Sequence, residues 1–82
     1  MIEVQTYDEF VRYLDRTKPV YYRIEVFEGR VFRKVRLVLH GTSLGGDEIV
    51  FKPAWIQPVF EDVKEAYSYL VKKFAEPLGA QV

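Results

Sequence analysis

Residues 19–40 alternate between apolar and polar side chains in two runs separated by the dipeptide at positions 28–29. Such alternation is typical of β-strands, because successive side chains of a strand point to opposite faces of a sheet. The dipeptide ends in glycine, which accepts the positive φ that a two-residue hairpin turn needs. The sequence therefore predicts an antiparallel hairpin in which Val26 pairs with Val31.

This register divides the hairpin side chains between two faces. One face is strongly apolar and is predicted to lie in the core; it consists of Val20, Tyr22, Ile24, Val26, Val31, Arg33, Val35 and Leu37. The other face is aromatic and mostly cationic; it consists of Tyr21, Arg23, Glu25, Phe27, Arg30, Phe32, Lys34 and Arg36. Aromatic rings stack on nucleic-acid bases and cations neutralise phosphates, so this second face suits a polyanion with stacked bases.

Two helical patterns flank the strands. Thr6 and Glu9 form a capping box that predicts the start of the first helix, and Pro19 marks its end. The second helix is predicted from apolar residues that recur at helical spacing, with Pro77 and Gly79 stopping it. The members of that apolar face are Val59, Val63, Ala66, Tyr67, Leu70 and Phe74, flanked by Phe60 and Val71.

Shorter segments complete the predicted order β-α-β-β-β-α. Strands are expected at residues 2–4 and 47–52, and the connector at 53–58 places Trp55 either in the core or at an exposed binding edge. This order favours an α+β fold with two layers, a mostly antiparallel sheet of three to four strands and two helices on one face. Residues 1–82 are expected to form a single small globular domain, with residues 75–82 as a tail.

Charge is unevenly distributed, although the formal net charge is zero. Residues 16–40 carry seven cations and two acids, which leaves a charge of +5 there and −5 in the remainder. The sequence therefore predicts a positive pole on the hairpin. A neutral total argues against a protein that coats DNA in bulk.

The chain shows no combination of residues typical of a catalytic or metal site. The chain has no cysteine and a single histidine, His40, and it shows no nucleophile with a base and an orienting acid. The glycine-rich stretch 40–46 lacks the ending of a P-loop and precedes a predicted strand. We therefore expect no catalytic residues, no metal site and no cofactor, and an enzyme is the third and least favoured class of function.

The composition also predicts a location. The N-terminal residues lack the pattern of a signal peptide, and no apolar stretch approaches the length that spans a bilayer, so we expect a cytoplasmic protein with no membrane partner. Asparagine and cysteine are absent and methionine occurs only at position 1. This depletion of thermolabile residues beside abundant charge is typical of a heat-adapted organism.

The favoured function is binding of single-stranded DNA or RNA on the aromatic and cationic hairpin face. Tyr21, Phe27 and Phe32 are predicted to stack on bases. The cations predicted to contact phosphates are Arg23, Arg30, Lys34 and Arg36. The chain lacks the aromatic signature of the RNA-recognition motif. The alternative is a small protein–protein interaction module, a homodimer or a subunit of a larger complex, that uses the same face.

Overall fold

The structure is a computed structural model that describes residues 1–58 and 62–82. The described residues form four strands and two α-helices: β1 (Ile2–Val4), α1 (Tyr7–Tyr13), β2 (Tyr21–Glu28), β3 (Arg33–Thr42), β4 (Glu48–Phe51) and α2 (Val63–Leu70). A π-helical turn at Val71–Ala75 and a 3₁₀ turn at Glu76–Leu78 continue α2. The predicted order β-α-β-β-β-α is confirmed.

The four strands form one mixed sheet in the order β1-β4-β3-β2. The β2–β3 and β3–β4 pairs are antiparallel and the β1–β4 pair is parallel, so the sheet is mostly antiparallel, as predicted. β3 is longer than predicted, because residues 40–42 pair with β4 instead of belonging to the connection. These features confirm the α+β fold class.

The predicted hairpin register is wrong by four residues. Val26 pairs with Val35 rather than with Val31, and the turn contains residues 29–32 instead of the dipeptide at 28–29. The Gly29 N–H donates to the Phe32 carbonyl at 2.8 Å and closes this longer turn. Val31, predicted to be buried, lies in the turn and is 90% exposed. A shift of four keeps every remaining strand residue on its predicted face, because the side-chain period is two.

Both helices cover the same face of the sheet. On α1, Phe10 is fully buried, and on α2, Ala66 and Leu70 are buried. They join one cluster with apolar residues of the strands, whose buried members are Val4, Val20, Val35, Leu37, Leu39, Ile49 and Phe51. The core therefore lies between the helices and one sheet face, and no helix of the described residues covers the opposite face.

Local capping explains where the helices begin. Thr6 accepts a hydrogen bond from the Glu9 N–H at 3.2 Å, which confirms the predicted start of α1. Asp62 caps α2 by accepting from the Lys64 N–H at 2.9 Å. The sequence prediction places Val59, Phe60 and Glu61 in this helix as well, and these three residues lie outside the described part of the chain.

The C-terminal residues are docked rather than forming the predicted tail over 75–82. Ala75 is fully buried and Leu78 packs against the core cluster. Gln81 pairs with the outer edge of β2, where its N–H donates to the Val20 carbonyl at 3.0 Å and its carbonyl accepts from the Tyr22 N–H at 2.8 Å. The chain end therefore extends the sheet by one bridge beyond β2.

Candidate nucleic-acid interface

The sheet surface opposite the helices, here called the open face, carries the alternate residues of β2 and β3 that do not enter the core. Cross-strand pairing places Glu25 opposite Arg36 and Phe27 opposite Lys34. The strand residues of the open face that the sequence analysis assigned to it are Tyr21, Arg23, Glu25, Phe27, Lys34 and Arg36. No helix within residues 1–58 and 62–82 packs on this face.

Three aromatic side chains form a row across the open face, here called the aromatic row. The rings of Phe27 and Phe32 are stacked, with centroids 6.0 Å apart and planes inclined by 27°. The Trp55 ring also contacts Phe27, with centroids 6.3 Å apart. The exposed fractions are 49% for Phe27 and 37% for each of the other two. The row therefore offers ring surface to a ligand.

Trp55 reaches the open face because of an irregularity after β4. Leu39 pairs with Phe51, whereas Val35 pairs with Ile56, so three residues of β3 oppose four residues of the segment 52–55. An extra residue of this kind is a β-bulge, which changes the face to which the following side chains point. Pro53 lies in this segment and is the one sequence signal that indicated a break. Of the two positions that the sequence left open for Trp55, the structure shows the exposed one.

Glu25 lies between two arginines, a group here called the Arg–Glu–Arg cluster. Arg36 Nε donates to Glu25 Oε1 at 2.6 Å, and Arg23 Nε and Nη2 donate to Glu25 Oε2 at 3.1 and 2.9 Å. Burial acts to raise the pKa of Glu25, but the hydrogen bonds and charges of Arg36 and Arg23 outweigh it and hold that pKa below its ordinary value. The carboxylate is therefore ionised at neutral pH.

Arg36 also joins the cluster to the aromatic row. Its guanidinium lies 4.1 Å from the centroid of the Trp55 ring, and its Nη1 donates to the Pro53 carbonyl at 3.4 Å. Its side chain is only 16% exposed. Arg36, which the sequence predicts as a free phosphate contact, lies against Trp55, and its main contacts are within the protein.

The other predicted cations have different surroundings. Lys34 Nζ lies 5.1 Å from the centroid of the Phe32 ring, and Arg30 is exposed in the hairpin turn. Arg33, on the opposite side of the hairpin, lies 3.7 Å from Glu28. The structure thus brings Lys34 to the aromatic row and leaves Arg30 beyond the end of the strands.

Tyr21 lies at the far end of the open face from the aromatic row. It is 47% exposed and pairs across the strands with His40. His40 Nε2 contacts Arg23 Nη1, and its Nδ1 lies 3.9 Å from a Glu48 carboxylate oxygen. A shallow recess of about 360 Å³ is lined by this end of the face, including Tyr21, His40 and Glu48. Between this recess and the aromatic row, Val38 pairs with Arg23 on the same face and is fully buried.

Among residues 1–58 and 62–82, no group of three or more acidic or histidine side chains is placed to hold a metal ion. No helix in the same part of the chain is long and apolar enough to cross a membrane.

No protein-family model matches this chain, and no curated protein or solved structure matches it at a significant level.

Proposed function

We propose that this protein binds single-stranded nucleic acid on its open face. The observation that supports this proposal is the aromatic row of Phe32, Phe27 and Trp55, which is partly exposed on a sheet surface that no helix of the described residues covers. Stacking of a base on an aromatic side chain contributes about 1–3 kcal/mol and tolerates any base, since every base has a π-face. A single strand exposes such faces, whereas a duplex keeps them stacked.

Charge on the open face supports a mode of binding dominated by stacking. Glu25 neutralises much of the charge of Arg23 and Arg36, so these arginines attract phosphates less than isolated cations do. Lys34 and Arg30 have no acidic partner among the described residues and are the principal phosphate contacts in this proposal. Bases would face the sheet and most phosphates would face solvent.

The test uses the single tryptophan as a reporter. Trp55 lies in the aromatic row, so a base that stacks there changes its fluorescence. Titration with unlabelled single strands should quench Trp55 emission, and anisotropy of a labelled strand should rise over the same range of protein concentration. A matched hairpin duplex should give neither change at equal concentration. Absence of both signals with DNA and RNA single strands at low salt would exclude the proposal.

A pair of aromatic variants links binding to the open face. Phe27→Ala removes the central ring of the row and should weaken binding about tenfold, a loss that corresponds to roughly 1.4 kcal/mol of stacking. Tyr13→Ala is the matched control, because Tyr13 is an aromatic residue of similar exposure (47%) on α1, away from the open face. Equal effects of the two substitutions would place the binding site elsewhere.

The alternative function is a protein interface on this face. Measuring the size of the protein by light scattering, with and without a mixed-sequence oligonucleotide, distinguishes this interface from nucleic-acid binding. A monomer that gains the mass of one strand supports nucleic-acid binding. A dimer that does not change on addition of the strand supports the interface, and Phe27→Ala should then shift it towards the monomer.

A further inference from the structure

The Arg–Glu–Arg cluster presents hydrogen-bonding groups in a fixed order across the open face. Glu25 is flanked by Arg36, its cross-strand partner, and by Arg23, two residues earlier on the same strand. Both arginines donate to its carboxylate at 2.6 to 3.1 Å, which holds all three side chains in place. The cluster is therefore an acceptor with a donor on each side.

Each member of the cluster retains hydrogen-bonding capacity for a ligand. A guanidinium carries about five N–H groups and a carboxylate offers about four lone-pair positions. Arg36 uses N–H groups on Glu25 and Pro53, and Arg23 uses them on Glu25 and His40. Glu25 accepts three hydrogen bonds. Within residues 1–58 and 62–82, the two guanidiniums therefore keep unused N–H groups and the carboxylate keeps an unused lone-pair position.

We infer that the cluster selects strands containing uracil or thymine, an inference that rests on the proposed binding of single-stranded nucleic acid. The Watson–Crick edge of these two bases has the carbonyl acceptors O4 and O2 on either side of the N3–H donor. This order complements a donor, an acceptor and a donor. In single strands that edge is free to be read by side chains.

The other bases do not complement this order. Cytosine and adenine each carry an amino group where uracil and thymine carry O4, so an N–H donor would face an arginine donor. Guanine presents one acceptor followed by two donors, and its second donor would face the other arginine. With each of these bases, at least one donor of the cluster faces a donor or its acceptor faces an acceptor, and this mismatch lowers the affinity for the base.

The aromatic row is placed to hold such a base. Phe27 lies two residues along β2 from Glu25, on the same face, which corresponds to about 6.6 Å of strand. A base whose edge reaches Glu25 therefore brings its ring near the Phe27 ring. The Trp55 ring lies 4.1 Å from the Arg36 guanidinium and restricts its orientation. Stacking supplies affinity for any base, and the cluster supplies the preference among bases.

The test compares oligo(dT), oligo(dC) and oligo(dA) of equal length by competition against one labelled strand. Oligo(dT) should bind roughly tenfold more tightly than the other two, as expected for one good set of base-edge hydrogen bonds. Replacing thymine with N3-methylthymine retains stacking but removes the N3–H donor, and should abolish the preference. Parallel measurements with oligo(U) and oligo(C) should give the same order.

Two variants assign the preference to the cluster. Arg23→Ala removes one flanking donor from a side chain that is 46% exposed, so the fold should remain intact while the preference for thymine falls. Arg30→Ala is the control, because Arg30 lies in the hairpin turn; it should weaken the binding of oligo(dT) and of oligo(dC) by the same factor.

Equal affinity of the wild-type protein for all three strands would overturn the inference and leave the proposed function standing. No binding to any strand would overturn both.

Discussion

At the scale of single residues, Gly41 allows α1 to approach the sheet closely. A Cβ atom at this position would lie 2.5 Å from Leu14 Cδ1 and 3.3 Å from Phe10 Cζ, and both side chains are buried. Gly41→Ala is therefore expected to lower the free energy of unfolding by about 1–3 kcal/mol, as overpacking of a core does. Urea denaturation measures the loss.

Gly45→Ala is the matched control for this substitution. Its Cβ would lie 3.9 Å from the nearest side-chain atom, and Gly45 does not have a positive φ. It should change stability by less than about 0.5 kcal/mol. A loss for Gly41→Ala as small as that for Gly45→Ala would show that α1 tolerates a larger residue beneath it.

Glu25 gives the protein a pH-dependent contribution to stability. Its pKa in the folded protein is lower than the ordinary value of 4.5, so its ion pairs stabilise the fold above that value. The contribution is lost as the pH falls through the folded pKa. The unfolding temperature of the wild-type protein should exceed that of Glu25→Gln at pH 7, and the difference should shrink as the pH falls below 4.5.

A second carboxylate, that of Asp15, also has a lowered pKa and must be separated from Glu25. Hydrogen bonds from the hydroxyl and the backbone N–H of Thr17 lower the pKa of Asp15. Asp15 is present in both proteins, so its contribution cancels from their difference. A difference between wild type and Glu25→Gln that stays constant from pH 7 to low pH would contradict the role assigned to the Arg–Glu–Arg cluster.

At the scale of the elements, α2 is anchored to the sheet through one buried face. Leu70 is 2% exposed and belongs to the core cluster, so Leu70→Ala should lower the free energy of unfolding by about 2–5 kcal/mol. Ser68→Ala is the control, because Ser68 is exposed on the same helix. A loss at Leu70 well below 1 kcal/mol in denaturant melts would mean that α2 does not stabilise the sheet through this face.

The β2–β3 hairpin determines how strongly binding depends on salt. The sequence predicts four phosphate contacts on this hairpin, but Arg23 and Arg36 are ion-paired with Glu25. With Arg30 and Lys34 as the remaining contacts, the logarithm of affinity should fall with the logarithm of salt concentration with a slope of about −1.4, at roughly 0.7 per contact for single strands.

Glu25→Gln provides the corresponding test. It should release the two arginines and steepen the slope towards about −2.8, by the same factor per contact. Lys34→Gln should make the wild-type slope shallower by about 0.7. Lys72→Gln, on the helical side of the molecule, should leave the slope unchanged. A slope that does not respond to Glu25→Gln would show that the carboxylate does not control the charge of the open face.

At the scale of the whole molecule, residues distant in sequence hold the sheet together. The described residues extend over 42 × 20 × 18 Å, and Gln81 closes part of the outer edge of β2. Gln81→Pro removes the N–H that donates to Val20 and should lower stability by about 0.5–1.5 kcal/mol. Gln81→Ala keeps that N–H and should match the wild-type protein. Equal stability of the three proteins would mean that the edge bridge contributes nothing.

The sequence by itself determined the class of fold and the faces of the hairpin. Alternation over most of residues 19–40 assigns each strand side chain to one face, because the side-chain period of a strand is two residues. Phe27 and Arg23 were therefore placed on the open face correctly even though the predicted turn was wrong. Helix capping at Thr6 was also predictable from the local sequence, because it depends on two residues only three positions apart.

Only the tertiary structure decided the register, the position of Trp55 and the docking of the C-terminal residues. A shift of four residues preserves the alternation, so the pattern cannot distinguish a pairing of Val26 with Val31 from the observed pairing with Val35. The position of Trp55 depends on a bulge that forms where residues 52–55 meet β3. The docking of Gln81 depends on a bridge to residues about 60 positions away. These features arise from contacts between distant segments, whose energies are not encoded in the spacing of neighbouring residues.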